Sequence, residues 1–533
     1  MIAHLPTLML VVGYAVFWLE LYVFKLPGGV TTPLAWSLWL ILCFYLFLKN
    51  KEVLSVPVKE MLVCWQEQKI GTKVYLAAGG IISIFVLLCA LYAALLPPHL
   101  IQESDVLNYH YTLPRQHLIL NSFQHIRWSS ADLFLLPLQF ALSPYWFATA
   151  LPNKMPQFIF LIGIIAMVAS LIKHFGANKF STVVLGVLAV IGSHNVGIQM
   201  GTAMLDLVIC YLFLAFVDSF LKGNMFLAAI EFSFFLWSKS FVPFQMALIM
   251  AAMFLLFRVL KIFNFRTLTG GFSQNIVPLE TGKLKRFLVG AVVFSIFIGG
   301  PFAGKSLYYS GTPLYPLGAG LAKISGNSDA TTTRQSLRKA AEAYAAYKDS
   351  YGYGRSFEDF VRHFWLIAVP DEGVNNKFDY PVGLPYLLFI GPFIYFLYRC
   401  LRQKVFPVIP VFVVAYWLLW WAGTQQTRFL YIPVILMYIT VLVELKNISF
   451  FLKGAVFLAL LLNALSVSRA HYHDFGTEPL KLLRQEDLGL VAQSESYRSN
   501  NKTGHVDLPV GEVAFAQFPV NVTQGKLPFI ISY

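Results

Sequence analysis

Charged residues are scarce in this sequence. Only 13% of the residues carry a charge, whereas 57% are hydrophobic and 16% are aromatic. A soluble globular domain carries charge at about 25% of its positions. The shortage of charge therefore excludes a soluble protein of this size and predicts an integral membrane protein.

The charge that is present is mostly positive, with a formal net charge of +13. A nucleic-acid-binding protein would show a basic tract interleaved with aromatic residues on a soluble domain, and this sequence has no such tract. In a membrane protein, basic residues keep short loops on the cytoplasmic side and contact anionic lipid headgroups. We therefore expect membrane lipids, and no nucleic acid, among the partners.

Cysteine is rare as well. The five cysteines all fall in expected membrane spans or at cytoplasmic positions, where disulfides are uncommon. They are Cys43, Cys64, Cys89, Cys210 and Cys400. The sequence therefore predicts no disulfide, no zinc site and no thiol chemistry.

Long apolar runs predict about thirteen membrane-spanning helices, each of about 20 residues. The runs are separated by short loops bearing Lys or Arg and do not alternate as barrel strands do. The expected spans are residues 8–24, 34–48, 74–96, 155–172, 180–193, 203–221, 225–238, 241–257, 287–304, 382–398, 405–421, 428–445 and 449–467. The first run lacks a preceding basic residue and a cleavage site, which indicates a retained helix. We therefore predict an all-α polytopic membrane protein with eleven to thirteen spans.

One apolar segment does not fit this pattern. Residues 131–150 are interrupted by Pro137 and Pro144, so we expect this segment to lie along the interface or to re-enter the membrane. A second irregular region, 333–348, is rich in Ala, Lys, Arg and Glu and predicts an amphipathic surface helix.

The distribution of Lys and Arg in short loops predicts the orientation. Four basic connections are expected to be cytoplasmic: residues 49–73, 173–179, 258–286 and 399–404. The amino terminus is then inside, and the loops at 97–131 and 305–381 are outside. We divide the chain into a transmembrane domain, 1–467, and a small extracytoplasmic extension, 468–533.

The first outer loop concentrates ionisable residues directly after a long apolar run. Its sequence PPHLIQESDVLNYHYTLPRQHL contains Glu103 and Asp105. A carboxylate at the edge of the membrane can accept a proton from an attacking alcohol, so both residues are candidate general bases. The alternative is that Asp105 only caps the helix that follows the Pro-Pro turn.

Basic residues of the same loop suggest two further roles. His110, His117 and His125 with the two carboxylates could ligate a divalent metal. Their spacing matches no known ligand signature, so we expect no cofactor and keep a metal as an alternative. Arg115 either binds a phosphate bidentately or anchors at lipid headgroups.

Charges inside the apolar body predict a cavity. Asp206 lies near the outer start of a span, Lys239 lies between two short spans, and Arg428 follows a short outer turn. Ionisable groups are costly in a bilayer, so their presence on one face indicates a lined site that could neutralise a phosphate. The alternative for Lys239 is a residue that extends its amine to the interface.

These segments together resemble the C-type superfamily of integral-membrane glycosyltransferases. The sequence is similar to protein O-mannosyltransferases and to the aminoarabinose transferase of lipid A. The matching pieces, in order over about two-thirds of the chain, are SDVLNYHYTLPRQHL, LDLVICYLFLAF, the Lys239 segment, GPFAGKSLYYSGTPLYPLG, YGYGRSFEDF and QQTRFLYIPVILM.

The resemblance implies a GT-C-like helix bundle that transfers a hexosyl or pentosyl group from a polyprenyl-phosphate carrier, with inversion. The acceptor would be a lipid, a glycan or a protein at the outer face, and the expected location is a bacterial inner membrane with a periplasmic active site. Asp105 matches the acidic residue taken as general base. The family commonly has an aromatic residue just before this position, where this chain has Ser104.

The resemblance also implies binding roles for other residues of this sequence. The resemblance implies that Lys239, Arg428 and Arg115 hold the departing phosphate. The turn at 311–316, which contains Tyr315, would shape the pocket wall. We add His110 and Asp206 as candidate substrate-binding residues.

Two functions from other classes remain as alternatives. A transporter or flippase of lipid-linked glycans would also need a charged cavity, but it should show inverted repeats, and the sequence shows none by eye. A non-catalytic subunit of a membrane assembly would retain the fold without the chemistry. Replacing Asp105 by Asn separates catalysis from both alternatives.

Overall fold

The structure is a computed structural model. It describes residues 2–24, 31–49, 65–67, 69–95, 105, 109–126, 129–134, 137–146, 154–177, 179–259, 264–266, 281–319, 328–349, 351–368, 378, 380–403, 405–444 and 450–469. Glu103, Cys64 and the expected extension from residue 470 onward lie outside the described residues, as does the side chain of Arg115.

The described chain is almost entirely helical. Its first nine α-helices are α1 (Leu5–Leu19), α2 (Thr31–Lys49), α3 (Ile70–Leu95), α4 (Thr112–Leu120), α5 (Pro137–Trp146), α6 (Met155–His174), α7 (Phe180–Ile191), α8 (His194–Gln199) and α9 (Asp206–Leu221). The following nine are α10 (Met225–Leu236), α11 (Phe241–Val259), α12 (Thr281–Ser310), α13 (Ser328–Asp349), α14 (Phe357–Leu366), α15 (Leu384–Arg402), α16 (Val408–Ala422), α17 (Tyr431–Glu444) and α18 (Phe450–Arg469). Each of the thirteen expected spans corresponds to one of these helices. The prediction of an all-α polytopic membrane protein is therefore confirmed.

The helices differ in length relative to a bilayer. Six are long and apolar enough to cross one: Leu5–Phe24, Ile70–Leu95, Met155–His174, Thr281–Ser310, Leu384–Arg402 and Thr427–Glu444. The pair α10 and α11 passes the same test together but is bent by 115° at its junction. Four shorter apolar helices accompany them in the described residues, at Pro33–Lys49, Phe180–Ile191, Val408–Ala422 and Lys453–Leu465.

The proline-interrupted segment forms the short helix α5. All ten of its residues are buried, and the Tyr145 hydroxyl donates to the Met9 carbonyl oxygen at 2.9 Å. A helix of ten residues is only about 15 Å long, half the thickness of the hydrocarbon core. Because it is covered on all sides, α5 lies inside the helix bundle and not along the lipid surface.

Two three-residue strands join distant loops. Strand β1 (Asn264–Arg266) pairs in parallel with β2 (Val405–Pro407), which directly precedes α16.

The expected amphipathic helix at 333–348 is confirmed as α13. Its buried residue Leu337 packs with Leu133, Tyr315 and Ala319 in a separate apolar cluster. The apolar side of α13 therefore packs against other parts of the protein.

The candidate site depends on two helices at the centre of the bundle. The span Thr427–Glu444, which contains α17, is 83% buried. Helix α9 packs against α10, α6 and α17 and begins at Asp206. Because α9 and the turn before α17 begin at the same pocket, their N-termini bring Asp206 and Arg428 to one end of the bundle. We call this end the site face.

Candidate functional site

Arg428 and Asp105 form an ion pair at the site face. Nη1 of Arg428 lies 3.1 Å from Oδ2 of Asp105. The Asp105 side chain is 30% exposed and that of Arg428 is 18% exposed, so the pair is accessible without being fully solvated. Asp105 is thus joined to the turn before α17.

A second ion pair lies beside the first. Nζ of Lys239 is 2.5 Å from Oδ1 of Asp206, and the Lys239 side chain is 17% exposed. Lys239 occupies the bend between α10 and α11, and its amine lines the pocket. The Gln199 amide also lies 3.5 Å from Oδ2 of Asp206.

Both cations contact one aromatic ring. The amine of Lys239 lies 4.7 Å from the ring centroid of Phe429, and the guanidinium carbon of Arg428 lies 5.4 Å from it. Cations are attracted to an aromatic face, so Phe429 helps to hold the two positive groups near each other despite their repulsion.

The pairs adjoin a small pocket with a free volume of about 20 Å³. Its charged lining consists of Asp206, Lys239 and Arg428, and Ile209, Val242 and Ile432 contribute apolar walls. A pocket with a few converging charges in an apolar wall suits a ligand that has a charged head and a hydrophobic body.

Hydrogen bonds fix the turn that carries Arg428. The Thr427 hydroxyl donates to the carbonyl oxygens of Phe378, at 2.8 Å, and Tyr380. Gln425 accepts from the Tyr353 backbone N–H at 2.9 Å and donates to the Gly354 carbonyl oxygen at 3.1 Å. The loop before α14 therefore positions Arg428 through its neighbours in the chain.

His110 is buried close to both pairs. It is only 2% exposed, and burial lowers its pKa to about 4, with Asp105 opposing and Lys239 reinforcing this shift. The imidazole is neutral at neutral pH. Among the described residues its Nδ1 atom has no hydrogen-bond partner, so this atom could accept or donate a hydrogen bond to a ligand.

The remaining candidates are divided between two places. Arg115 belongs to α4, and its side chain lies outside the described residues, as does Glu103. Tyr315 is buried in the cluster under α13, where its hydroxyl donates to the Leu337 carbonyl oxygen at 3.0 Å. Tyr315 is thus engaged away from the described lining of the pocket.

A third charged cluster involves residues that the sequence reasoning missed. Asp132, just before α5, accepts from His117 at 2.7 Å, His125 at 3.1 Å and Lys305 at 2.8 Å. Burial alone would raise the pKa of Asp132, but Lys305 and His117 hold it well below its usual range. An isolated Lys305 in the apolar run of α12 was the signal, because a buried amine requires a partner.

The cluster around Asp132 is linked to Lys239 through a short path. Ser240, the residue after Lys239, donates to the Phe134 carbonyl oxygen, two residues beyond Asp132. His117 and His125 are thus engaged in a structural network. Within the described part of the chain, no group of three or more His, Cys, Asp or Glu side chains is placed to hold a metal ion.

Another buried network lies at the opposite end of α9. His4 contacts Glu231 at 2.7 Å and Asp218 at 3.1 Å. Although burial lowers it, the pKa of His4 is raised overall by these carboxylates. Asp218 is twelve residues beyond Asp206, about 18 Å along a helix. This network ties the N-terminal segment to α9 and α10 and is separate from the candidate site.

The fold and the site define a polytopic membrane protein with a charged, apolar-walled pocket at one end of its helix bundle. Comparison of the chain with protein-family models, curated proteins and solved structures finds no match. The pocket itself is therefore the feature from which a function can be inferred.

Proposed function

We propose that the protein is a glycosyltransferase that moves a hexosyl or pentosyl group from a polyprenyl-phosphate carrier to an acceptor at the site face. The observation that carries this proposal is the contact between Asp105 and Arg428, with Lys239 in the same pocket. Such a reaction needs a base for the acceptor, cations for the leaving phosphate and apolar surface for the carrier.

Asp105 is the proposed general base. Its partly exposed carboxylate can accept the proton of an acceptor hydroxyl as that oxygen attacks the anomeric carbon. The new bond between oxygen and carbon forms on the face opposite the phosphate. The bond from the anomeric carbon to the phosphate oxygen breaks, its electron pair remains on the phosphate, and the configuration is inverted.

Arg428 and Lys239 are the proposed phosphate ligands. Positive charge placed where negative charge develops lowers the barrier to leaving-group departure. In the free protein both cations are paired, with Asp105 and Asp206 respectively. An arriving phosphate competes for Arg428, which releases Asp105 from its ion pair and frees the carboxylate to accept a proton.

The pocket walls support a lipid-linked donor. Ile209, Val242 and Ile432 lie on the same pocket surface as the cations, so a phosphate at Arg428 would have apolar residues next to its prenyl chain. A free sugar nucleotide would gain nothing from such walls. The His110 Nδ1 atom is available nearby for a hydroxyl of the sugar or the acceptor.

The orientation that goes with this function places the site face in the periplasm of a bacterial inner membrane. Lys222 contacts Asp218 at the far end of α9, and Lys173 lies at the end of α6. Basic residues favour the cytoplasmic side, which supports a cytoplasmic location for that end and for the amino terminus.

The decisive experiment compares Asp105→Asn with wild type in lipid nanodiscs. Release of polyprenyl phosphate is measured with a panel of polyprenyl-phosphate hexoses and pentoses and a mixture of envelope acceptors. We expect a loss of about 10²–10⁴-fold in Asp105→Asn, as for removal of a general base. The control Glu342→Gln alters an exposed carboxylate on α13 and should retain full activity.

Two outcomes would contradict the proposal. Undiminished transfer by Asp105→Asn would remove the base from the mechanism and favour a non-catalytic subunit. Movement of intact lipid-linked glycan across the bilayer, without cleavage of the phosphate bond by wild type, would favour a transporter. Thermal unfolding of each variant in detergent establishes that it is folded.

A further inference from the structure

Helix α14 exposes an apolar stripe that no part of the described protein covers. Phe357, Val361 and Trp365 are 80%, 55% and 61% exposed. They are spaced four residues apart, so they lie along one side of the helix. A row of three large apolar side chains open to solvent is costly in water.

The other two sides of α14 have clear environments. Phe360 and Phe364 pack against Trp421 and Trp417, with ring centroids 5.2 and 5.7 Å apart. The polar side carries Glu358, which pairs with Arg362 at 2.5 Å while both remain largely exposed. The helix thus has one side on the protein, one side suited to water and one apolar side left open.

The open side continues the lipid-facing surface of the bundle. Phe364 stacks on Trp417 near the end of α16, and the next residue, Leu418, is 46% exposed on the shaft of that apolar helix. The tryptophans Trp417, Trp420 and Trp421 occupy this end of α16. Trp417 and Trp420 are only 5% and 3% exposed, so they pack within the protein and hold α14 at the end of this apolar helix.

The other amphipathic helix in this region differs. In α13, Leu337 is only 5% exposed because it packs against Leu133 and Tyr315. Its apolar side is covered by protein at this residue. Among the described side chains of the two helices, only α14 presents large apolar residues outward.

We propose that Phe357, Val361 and Trp365 insert into the lipid bilayer at the site face. Helix α14 then lies along the membrane surface, as amphipathic interfacial helices do. Its occupant is the bilayer itself, because the stripe is continuous with the lipid-facing side of α16 and is bordered by a charged side that faces water.

Lipid contact at α14 has a consequence for the pocket. The loop before α14 is bonded to the turn that precedes Arg428: Arg355 donates to the Gly423 carbonyl oxygen at 2.7 Å, and Gln425 bonds to Tyr353 and Gly354. The depth of α14 in the membrane therefore restrains residues 423–428. This inference holds whether or not the pocket transfers sugars.

Spin labels test the lipid contact directly. In a background in which all five cysteines are replaced, single cysteines are introduced as Val361→Cys, Glu358→Cys and Leu418→Cys and labelled in nanodiscs. Accessibility to oxygen, which partitions into lipid, is compared with accessibility to a water-soluble nickel chelate. We expect the Val361 label to resemble the Leu418 label, with a ratio of oxygen to nickel accessibility at least about threefold above that of the Glu358 label.

Two results would overturn the proposal. A Val361 label as open to nickel as the Glu358 label would place the stripe in water. Exclusion of both reagents would indicate that a second copy or another protein covers it.

Hydrogen exchange provides an independent measurement that needs no label. The triple change Phe357→Ser, Val361→Ser and Trp365→Ser should raise exchange of residues 423–428 in nanodiscs. The matched change Glu358→Ser with Arg362→Ser, on the polar side, should leave it as in wild type. Equal exchange in both variants would show that lipid contact at α14 does not restrain the turn.

Discussion

Arg428 and Asp105 meet at 3.1 Å although 323 positions separate them in the sequence. Arg428 comes from the turn before a central helix, and Asp105 comes from the segment between α3 and α4. A pair that joins such distant segments while remaining 18% and 30% exposed is available for exchange with a ligand. Partly exposed pairs contribute little stability, so folding alone does not require this arrangement.

Binding of a polyprenyl phosphate should respond in opposite directions to changes in this pair. Arg428→Gln removes a phosphate ligand and should weaken binding roughly tenfold, about 1.4 kcal/mol. Asp105→Asn removes the carboxylate that competes for Arg428, so binding should be equal to wild type or tighter. Titration of detergent-solubilised protein with polyprenyl phosphate, monitored by thermophoresis, measures the affinity of both variants.

The same titration has a built-in control. Glu342→Gln changes an exposed carboxylate on α13 that pairs with Arg338 and should bind as wild type does. If Arg428→Gln and Asp105→Asn weaken binding equally, the pair holds the loops together and does not exchange with phosphate.

The cluster around Asp132 should be important for stability. Asp132→Asn leaves Lys305 buried without a counter-charge, and breaking a buried pair costs about 3–5 kcal/mol. We expect a clear fall in the unfolding temperature in detergent, with partial recovery when Lys305→Met is added. Unfolding of Asp132→Asn at the wild-type temperature would show that the ammonium finds another partner.

Much of the architecture could be predicted from the sequence, because membrane spans depend on local properties. All thirteen apolar runs are helical in the structure. Counting membrane crossings along the sequence predicted that Asp206, Lys239 and Arg428 lie on one face, and they line one pocket. Pairing could not be predicted in this way. Two contacts depend on helix packing: Asp105 with Arg428, and Lys239 with Asp206. The second also depends on the 115° bend after α10.

Asp132 shows why the buried charged cluster around it could not be predicted from the sequence. It lies at the start of an apolar segment interrupted by prolines, and its partners come from two other segments of the chain. Lys305 alone indicated that a buried anion was needed, but composition cannot identify which one. Tyr315 gives the reverse case: its turn was expected at the pocket, and its hydroxyl is bonded to Leu337 instead.

Gly352→Ala should disturb the turn that carries Arg428. Gly352 has a φ of +88°, and a Cβ atom there would lie 1.8 Å from Oε1 of Gln425. The clash displaces Gln425 from the Tyr353 backbone N–H, and the positive φ strains the backbone of an alanine at this position. We expect lower phosphate affinity with a small loss of stability, measured by the same titration and by thermal unfolding.

A second glycine separates this effect from the general cost of adding a methyl group. Gly391 lies within α15, and a Cβ atom there would have no neighbour within 4 Å. Gly391→Ala should leave binding unchanged and could raise stability by about 0.5–1 kcal/mol through helix propensity. Equal phosphate affinity in both variants would contradict a positioning role for Gly352.

His363 should make stability depend on pH between about 4 and 6.5. Burial lowers its pKa from 6.5 to about 4, and its Nε2 accepts a hydrogen bond from Trp417 at 2.7 Å, which requires the neutral ring. Because the unfolded chain binds the proton more readily, stability is complete above pH 6.5 and is lost as the pH falls toward 4, by at most about 1.4 kcal/mol per pH unit. His363→Gln keeps a possible acceptor without the titration, so the unfolding temperatures of wild type and variant should diverge from each other between pH 7 and 5. Parallel curves over that range would show that protonation of His363 does not change the free energy of unfolding.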